Sequence, residues 1–248
     1  MWQGLLFLKI DIPKMVSILK DLTHGLIHLF YPRLCEGCSK PLLAAENVLC
    51  ISCALQVPET GYHHIADNES ALRFAGRVPF IHATSFAYFT NDGLLQHLIQ
   101  GLKYRDKKEI GIYLGERFAH SLRNTDWISS IDMIIPVPLH PAKEARRGYN
   151  QSMLIAEGLN NVLDIPASDK ILLRTRDTES QTKKTRADRV ENMAGAFKIA
   201  EKADISGKHI LICDDVLTTG ATIEACSLAL KGQENVKISI ATIGIAVS

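Results

Sequence analysis

Residues 208–223 read Lys-His-Ile-Leu-Ile-Cys-Asp-Asp-Val-Leu-Thr-Thr-Gly-Ala-Thr-Ile. The largely apolar run His209 to Ile212 predicts a short buried strand. Asp214 and Asp215 are expected to end it, and the small-residue turn Leu217 to Thr222 runs into an amphipathic helix from about Ala221 to Lys231. The first amides of a helix have no intrahelical partner, and the helix dipole is positive there. Such a turn therefore seats a phosphate without a cationic side chain. Thr218, Thr219 and Thr222 add hydroxyl donors, and Gly220 lets the backbone approach closely.

The paired carboxylates call for a different partner, because two anions would repel a phosphate. They suit the neutral diol of a sugar, or a divalent metal that the same ligand carries. Phosphate on one side and diol on the other describe a ribose 5-phosphate. The run Ile210 to Thr222 resembles the signature of the type I phosphoribosyltransferases, which binds phosphoribosyl pyrophosphate (PRPP): four apolar residues, two acids, a spacer and Thr-Gly-(Gly or Ala)-Thr. No Gly-Lys-Thr or Gly-Lys-Ser follows, so it is not a Walker loop. The competing reading is a buried strand, a capped helix and surface acids.

At 248 residues the chain has room for one full domain and a small appendage. With 46% hydrophobic residues, 22% charged residues and a net charge of +1, it has the composition of an ordinary globular protein. No global charge imbalance points to nucleic acid or a membrane surface, so any such contact is local. Lys9, Asp11, Lys14, Lys20 and Asp21 interrupt the apolar N-terminus before a membrane span of about 20 residues can form. It also lacks a basic start and a small-residue cleavage site, and the expected location is cytoplasmic.

Residues 15–30 place Ile18, Leu22, Leu26 and Leu29 or Phe30 at helical spacing, ended by Pro32. This reads as a helix laid on the next module. A membrane-surface helix is the alternative, opposed by Asp21 and a polar face poor in basic residues. Cys35-x2-Cys38 and Cys50-x2-Cys53 then offer four thiolates to one structural zinc ion. Two disulfides or a redox pair compete, and the absence of a secretory signal disfavours them. Cys213 and Cys226 stand apart as core or helix-packing residues. The expected division is 1–60, an N-terminal helix with the four-cysteine zinc module, and 61–248, the phosphoribosyltransferase-like domain.

Residues 54–81, with His63, His64 and Asp67, read as a solvated linker. His82 to Phe89 reads as a strand, and Leu94 to Tyr104 and Ile110 to Leu122 as helices. The cluster Lys103 to Lys108 between those helices reads as solvated surface, or as what a phosphate-rich partner touches. Beyond it come a strand at Ile131 to Val137, a loop at Leu139 to Gln151, a helix at Ser152 to Leu163, and strands at Ile171 to Leu173 and Ala196 to Ile199. The central strand, its helix and a last strand at Val236 to Ile243 follow. Alternating strands and helices predict an α/β fold, a mainly parallel sheet flanked by helices, with ligands outside the carboxyl ends of its strands. Two basic loops fall on that rim: Lys143, Arg146 and Arg147, fit to grip a pyrophosphate, and Arg174 to Asn192, a flexible lid carrying Gln181, Lys183, Lys184, Arg186 and Arg189. Plain solvated loops are the alternative for both.

The chain resembles the ComF family. The resemblance is carried by the cysteine quartet, Leu102-Lys103-Tyr104, Pro136-Val137-Pro138-Leu139, Arg147-Gly148-Tyr149-Asn150-Gln151, and Gln181-Thr182 with Arg186, Arg189, Asn192 and Ala196-Phe197, besides the PRPP motif. Tyr149 stands where the family usually has Phe. The resemblance implies a type I phosphoribosyltransferase fold behind a small zinc-ribbon-like module. It implies that Asp214 and Asp215 hold the ribose hydroxyls, that Thr218 to Thr222 hold the 5-phosphate, and that the Arg146–Arg147 loop holds pyrophosphate with magnesium. The acceptor is unknown. Two roles follow: transfer of phosphoribose from PRPP with release of pyrophosphate, or non-catalytic sensing of PRPP by a DNA-uptake factor that contacts single-stranded DNA.

Overall fold

The computed structural model describes residues 32–176, 195–201 and 203–247. Six strands lie in them: β1 Ala83–Phe89, β2 Met133–Pro136, β3 Leu172–Arg174, β4 Phe197–Ile199, β5 His209–Leu217 and β6 Lys237–Ala246. Seven α-helices accompany them: α1 Ile51–Ala54, α2 Glu69–Leu72, α3 Leu94–Tyr104, α4 Lys108–Leu122, α5 Pro141–Arg147, α6 Gln151–Leu163 and α7 Ala221–Leu230. The chain divides into two units, one ending at Leu55 and the other beginning at Gln56.

In the second unit, β1, β6, β5 and β2 form one sheet in that order, every pairing parallel. Nearly every residue of β5 and β6 is buried, as expected of central strands covered on both faces. Ile210 and Ile212 of β5 enter one apolar cluster with Ile223 and Leu230 of α7, Phe197 of β4 and Phe74. On the other face α4 and α6 cross in contact: a Cβ on Gly115 would stand 2.3 Å from the Ile155 carbonyl, and one on Gly158 would stand 2.1 Å from that of Ile112. Only glycine allows this approach, and it brings the start of α6 down onto β2 and β5. Because the strands are parallel, the ends of β2, β5, β1 and β6 share one rim.

Several expectations are corrected. The acid pair does not end the central strand: β5 continues through Val216 to Leu217, paired with Gly244 and Ile245 of β6. β3 and β4 do not join the parallel sheet but form an antiparallel pair of their own. The segment from Leu139 to Gln151 contains a helix, α5, with Pro141 in its first turn and His140 as its cap. Residues 54–81 are no solvated linker, since Asn68, Ser70, Ala71, Phe74 and Val78 are buried. The helix expected at 15–30 and most of the lid, including Gln181, Lys183, Lys184, Arg186 and Arg189, lie outside the described residues. No helix among the described residues is long and apolar enough to cross a membrane.

Among the described residues, the first unit has little apolar interior. Its buried hydrophobic side chains among the described residues are Cys35, Val48, Leu49 and Cys53.

Candidate functional site

Asp214 and Asp215 stand near the end of β5, side by side and tied in different ways. Asp214 Oδ1 accepts from Ser152 Oγ at 2.9 Å and from the Asp215 amide at 2.8 Å, while Oδ2 has no hydrogen bond among the described residues. Ser152 is placed by the Asn150 cap of α6, whose Oδ1 accepts the Ser152 amide and whose Nδ2 donates to the Val137 carbonyl at 3.1 Å. Burial, and then the neighbouring Asp215 charge, push the Asp214 carboxyl up to about 7.

Asp215 is 4% exposed. Lys103 Nζ, from the last turn of α3, lies 3.0 Å from its Oδ1 and 2.9 Å from its Oδ2. Burial works against the Lys103 charge, but the Asp215 carboxylate outweighs it and raises the lysine above its ordinary value. Lys103 therefore does not belong to a solvated cluster. The Tyr149 hydroxyl donates to the Leu102 carbonyl beside it, a bond that a phenylalanine at this position could not make.

Beyond β5 the backbone turns through Thr218, Thr219 and Gly220 into α7. Gly220 has φ +80°, which a side chain rarely adopts, and a Cβ there would meet Phe74 Cε1 at 2.9 Å. The amides of Thr218, Thr219 and Gly220 have no acceptor among the described residues, so three consecutive N–H groups open at a helix start. Thr218 is exposed and Thr219 and Thr222 are half-buried, whereas the Leu217 and Ala221 side chains are buried in the core and offer only their backbone. Thr219 Oγ1 accepts the Ala221 amide at 3.5 Å.

Lys143 and Arg147 lie half-buried on α5 and Arg146 is exposed there. Arg147 donates to Gln151 Oε1, and its guanidinium sits over the exposed Tyr104 ring, 5.8 Å from its centre. Lys108 lies 5.0 Å over the Tyr149 ring.

Sequence reading missed Lys103, Arg73 and Arg77 as members of this region. Arg73 donates to the Leu217 carbonyl at 3.4 Å and to the Thr218 carbonyl, and Arg77 to the Thr219 carbonyl at 3.0 Å. The available signal was the spacing Glu69, Arg73, Arg77, one helical face of ion-pairing type. Its target more than 140 positions away was not in the pattern.

In the first unit, ligand atoms of Cys35, Cys38, Cys50 and Cys53 all lie within 4.8 Å of one another. A tetrahedral zinc ion with bonds of about 2.3 Å spaces its sulfurs by about 3.8 Å, and Cys38 and Cys50 Sγ stand 3.7 Å apart. The amides of Cys50 and Gly37 reach Cys35 Sγ at 3.2 and 3.4 Å. Burial alone would raise the Cys35 thiol, but these backbone donors bring it down to about 7. The four sulfurs fit a structural zinc ion and leave no open position on it.

The family model described as "Phosphoribosyl transferase domain" matches residues 149–247. Competence protein F of Haemophilus influenzae is 33% identical over 58% of this chain and 66% of its own length, just under two thirds. Competence protein ComFC of Bacillus subtilis is 22% identical over 85% of this chain and 84% of its own. Among solved structures, adenine phosphoribosyltransferase of Saccharomyces cerevisiae is 13% identical, with a TM-score of 0.35 over 58% of this chain and 72% of that one. With its parallel sheet flanked by helices and its strand–acid pair–loop, the chain has a type I phosphoribosyltransferase fold, and over part of its length it is similar to the competence proteins F and ComFC.

Proposed function

We propose that this protein binds PRPP at the end of β5, with the 5-phosphate on the amides of Thr218, Thr219 and Gly220 and the ribose hydroxyls on Asp214 and Asp215. The observation that carries this reading is the pairing, on one strand end, of three amides that have no acceptor among the described residues with two carboxylates. A phosphate needs donors and no carboxylate; a diol needs acceptors. Among the described residues, one carboxylate oxygen of Asp214 has no hydrogen bond and Asp215 Oδ2 has only its ion pair, which leaves hard oxygens that also suit magnesium. Bound with PRPP, magnesium would supply charge neutralisation at the pyrophosphate.

The reaction we propose is phosphoribosyl transfer. An acceptor nucleophile attacks the anomeric carbon, the bond from that carbon to the pyrophosphate oxygen breaks, and pyrophosphate leaves with the bonding pair. Asp214 and Asp215 orient the ring, and Lys143, Arg146 and Arg147 on α5 receive the departing charge. The basic lid residues Lys183, Lys184, Arg186 and Arg189 would exclude water during transfer. In the first unit we propose that Cys35, Cys38, Cys50 and Cys53 hold zinc. Metal analysis of the purified chain tests this, with one equivalent of zinc expected and none in a Cys35→Ser, Cys38→Ser variant.

A second reading is favoured by the relatives' names. A DNA-uptake factor would use the same pocket to sense PRPP and would contact single-stranded DNA through exposed Tyr104 beneath Arg147, with Lys108 close by. An assay for pyrophosphate released from PRPP in the presence of free bases or single-stranded DNA separates the two. Release supports transfer; binding of PRPP without release under every acceptor supports sensing.

A further inference from the structure

Arg73 and Arg77 lie behind the phosphate loop rather than in front of it. In a trans peptide the carbonyl and the next amide point in opposite directions, and the described residues include no cis bond. Guanidinium contacts to the carbonyls of Leu217, Thr218 and Thr219 therefore turn the amides of Thr218, Thr219 and Gly220 away from the arginines. These are the amides that have no acceptor among the described residues.

The arginines are themselves fixed. Arg73 donates to Glu69 Oε1 at 2.7 Å and to the Ala246 carbonyl at 2.6 Å; Arg77 donates to the Arg73 carbonyl at 2.6 Å and pairs with Glu224 of α7. Asn68 pins their segment to the sheet through the Ala83 carbonyl at 2.8 Å and caps α2 through Ala71. Between the arginines, Phe74 closes the space behind Gly220. Each guanidinium carries a carboxylate, so the pair adds little net field at the loop. What it supplies is direction.

We infer that Arg73 and Arg77 are positioning residues that preorganise the loop amides to receive the 5-phosphate, acting through the peptide carbonyls without touching the ligand. The inference rests on the reading of this loop as the phosphate seat.

The test is calorimetric titration of ribose 5-phosphate, PRPP with magnesium, and pyrophosphate with magnesium into the full chain and into Arg73→Gln and Arg77→Gln. Both variants are expected to lose about tenfold in affinity for ribose 5-phosphate and for PRPP alike, the effect of misdirecting about one charge-assisted hydrogen bond. Pyrophosphate, which has no 5-phosphate, should bind as to wild type. Unchanged affinities, or an equal loss for pyrophosphate, overturn the inference while leaving the phosphate seat in place. Failure of the wild type to bind ribose 5-phosphate removes the seat itself and the inference with it. Should Arg73→Gln not fold, Arg77→Lys replaces it. That variant keeps the charge but cannot reach Thr219, Arg73 and Glu224 together, and it should show the same selective loss.

Discussion

The acid pair and the amide loop adjoin at one strand end, yet they are held by opposite means. Asp214 and Asp215 are groups whose charge is costly where they sit, so the fold surrounds them with a cation, a hydroxyl and an amide. The loop amides carry no formal charge, and the fold fixes their direction from behind, through carbonyls, a glycine and a phenylalanine. The electrostatic half should respond to pH and to counter-ions. The geometric half should not.

The largest expected effect is on the geometric half. Gly220→Ala forces a side chain into a left-handed conformation and against Phe74, and should cost about 2–5 kcal/mol of stability. Urea titration at pH 5 and pH 8 should give the same loss at both; a loss that changes with pH would show that the loop is coupled to the acids. Lys103→Met strikes the other half. It leaves Asp215 buried without its cation and should cost about 2–3 kcal/mol at pH 8, discounted from a fully buried pair because the lysine side chain is partly exposed. The cost should shrink at pH 5, where Asp214, pushed up to about 7, holds a proton and the site carries one negative charge fewer.

Asp214→Asn sharpens the same contrast and has a defined sign. The folded carboxyl titrates near 7 and an unfolded one near 3.9, so between those values the native state holds the proton more tightly. The contribution to stability is present below about pH 4 and is lost as pH rises through about 7. The full shift corresponds to about 4 kcal/mol, and because Asp214 is partly exposed and so partly screened, the variant should gain about 2 kcal/mol relative to wild type between pH 4 and pH 8. Parallel melting curves of the two proteins across that range would contradict the assignment. The smallest effect is expected of Tyr149→Phe, which gives up the bond to the Leu102 carbonyl and should lower stability by about 1 kcal/mol at every pH. A loss several times larger would mean that Tyr149 also holds Lys103 on Asp215.

The loop was legible in the sequence because its chemistry is local: a strand, two acids, small residues and a helix start follow one another within Ile210 to Thr222. Helices α3, α4 and α6 were legible for the same reason, their apolar faces being periodic. What failed was non-local. Nothing in Leu172–Arg174 says that its partner is Phe197–Ile199 in reverse, since pairing direction is set by the path between them. Lys103 sits in a run of basic residues that looks solvated, and only the return of β5 more than 100 positions later gives it Asp215. The clamp formed by Arg73 and Arg77 was hidden in the same way. Helix α5 was a different miss, because Pro141 after His140, with Glu144 in the first turn, is a readable helix start.

The most direct test of the central claim is calorimetric titration of PRPP with magnesium into wild-type protein and into Asp214→Asn, Asp215→Asn, with ribose 5-phosphate as a second ligand. The account predicts saturable 1:1 binding of both ligands by the wild type. In the double variant PRPP affinity should fall steeply, while weak phosphate-driven binding of ribose 5-phosphate persists on the intact loop. Equal binding of PRPP by the two proteins would contradict the division of this site into a diol half and a phosphate half.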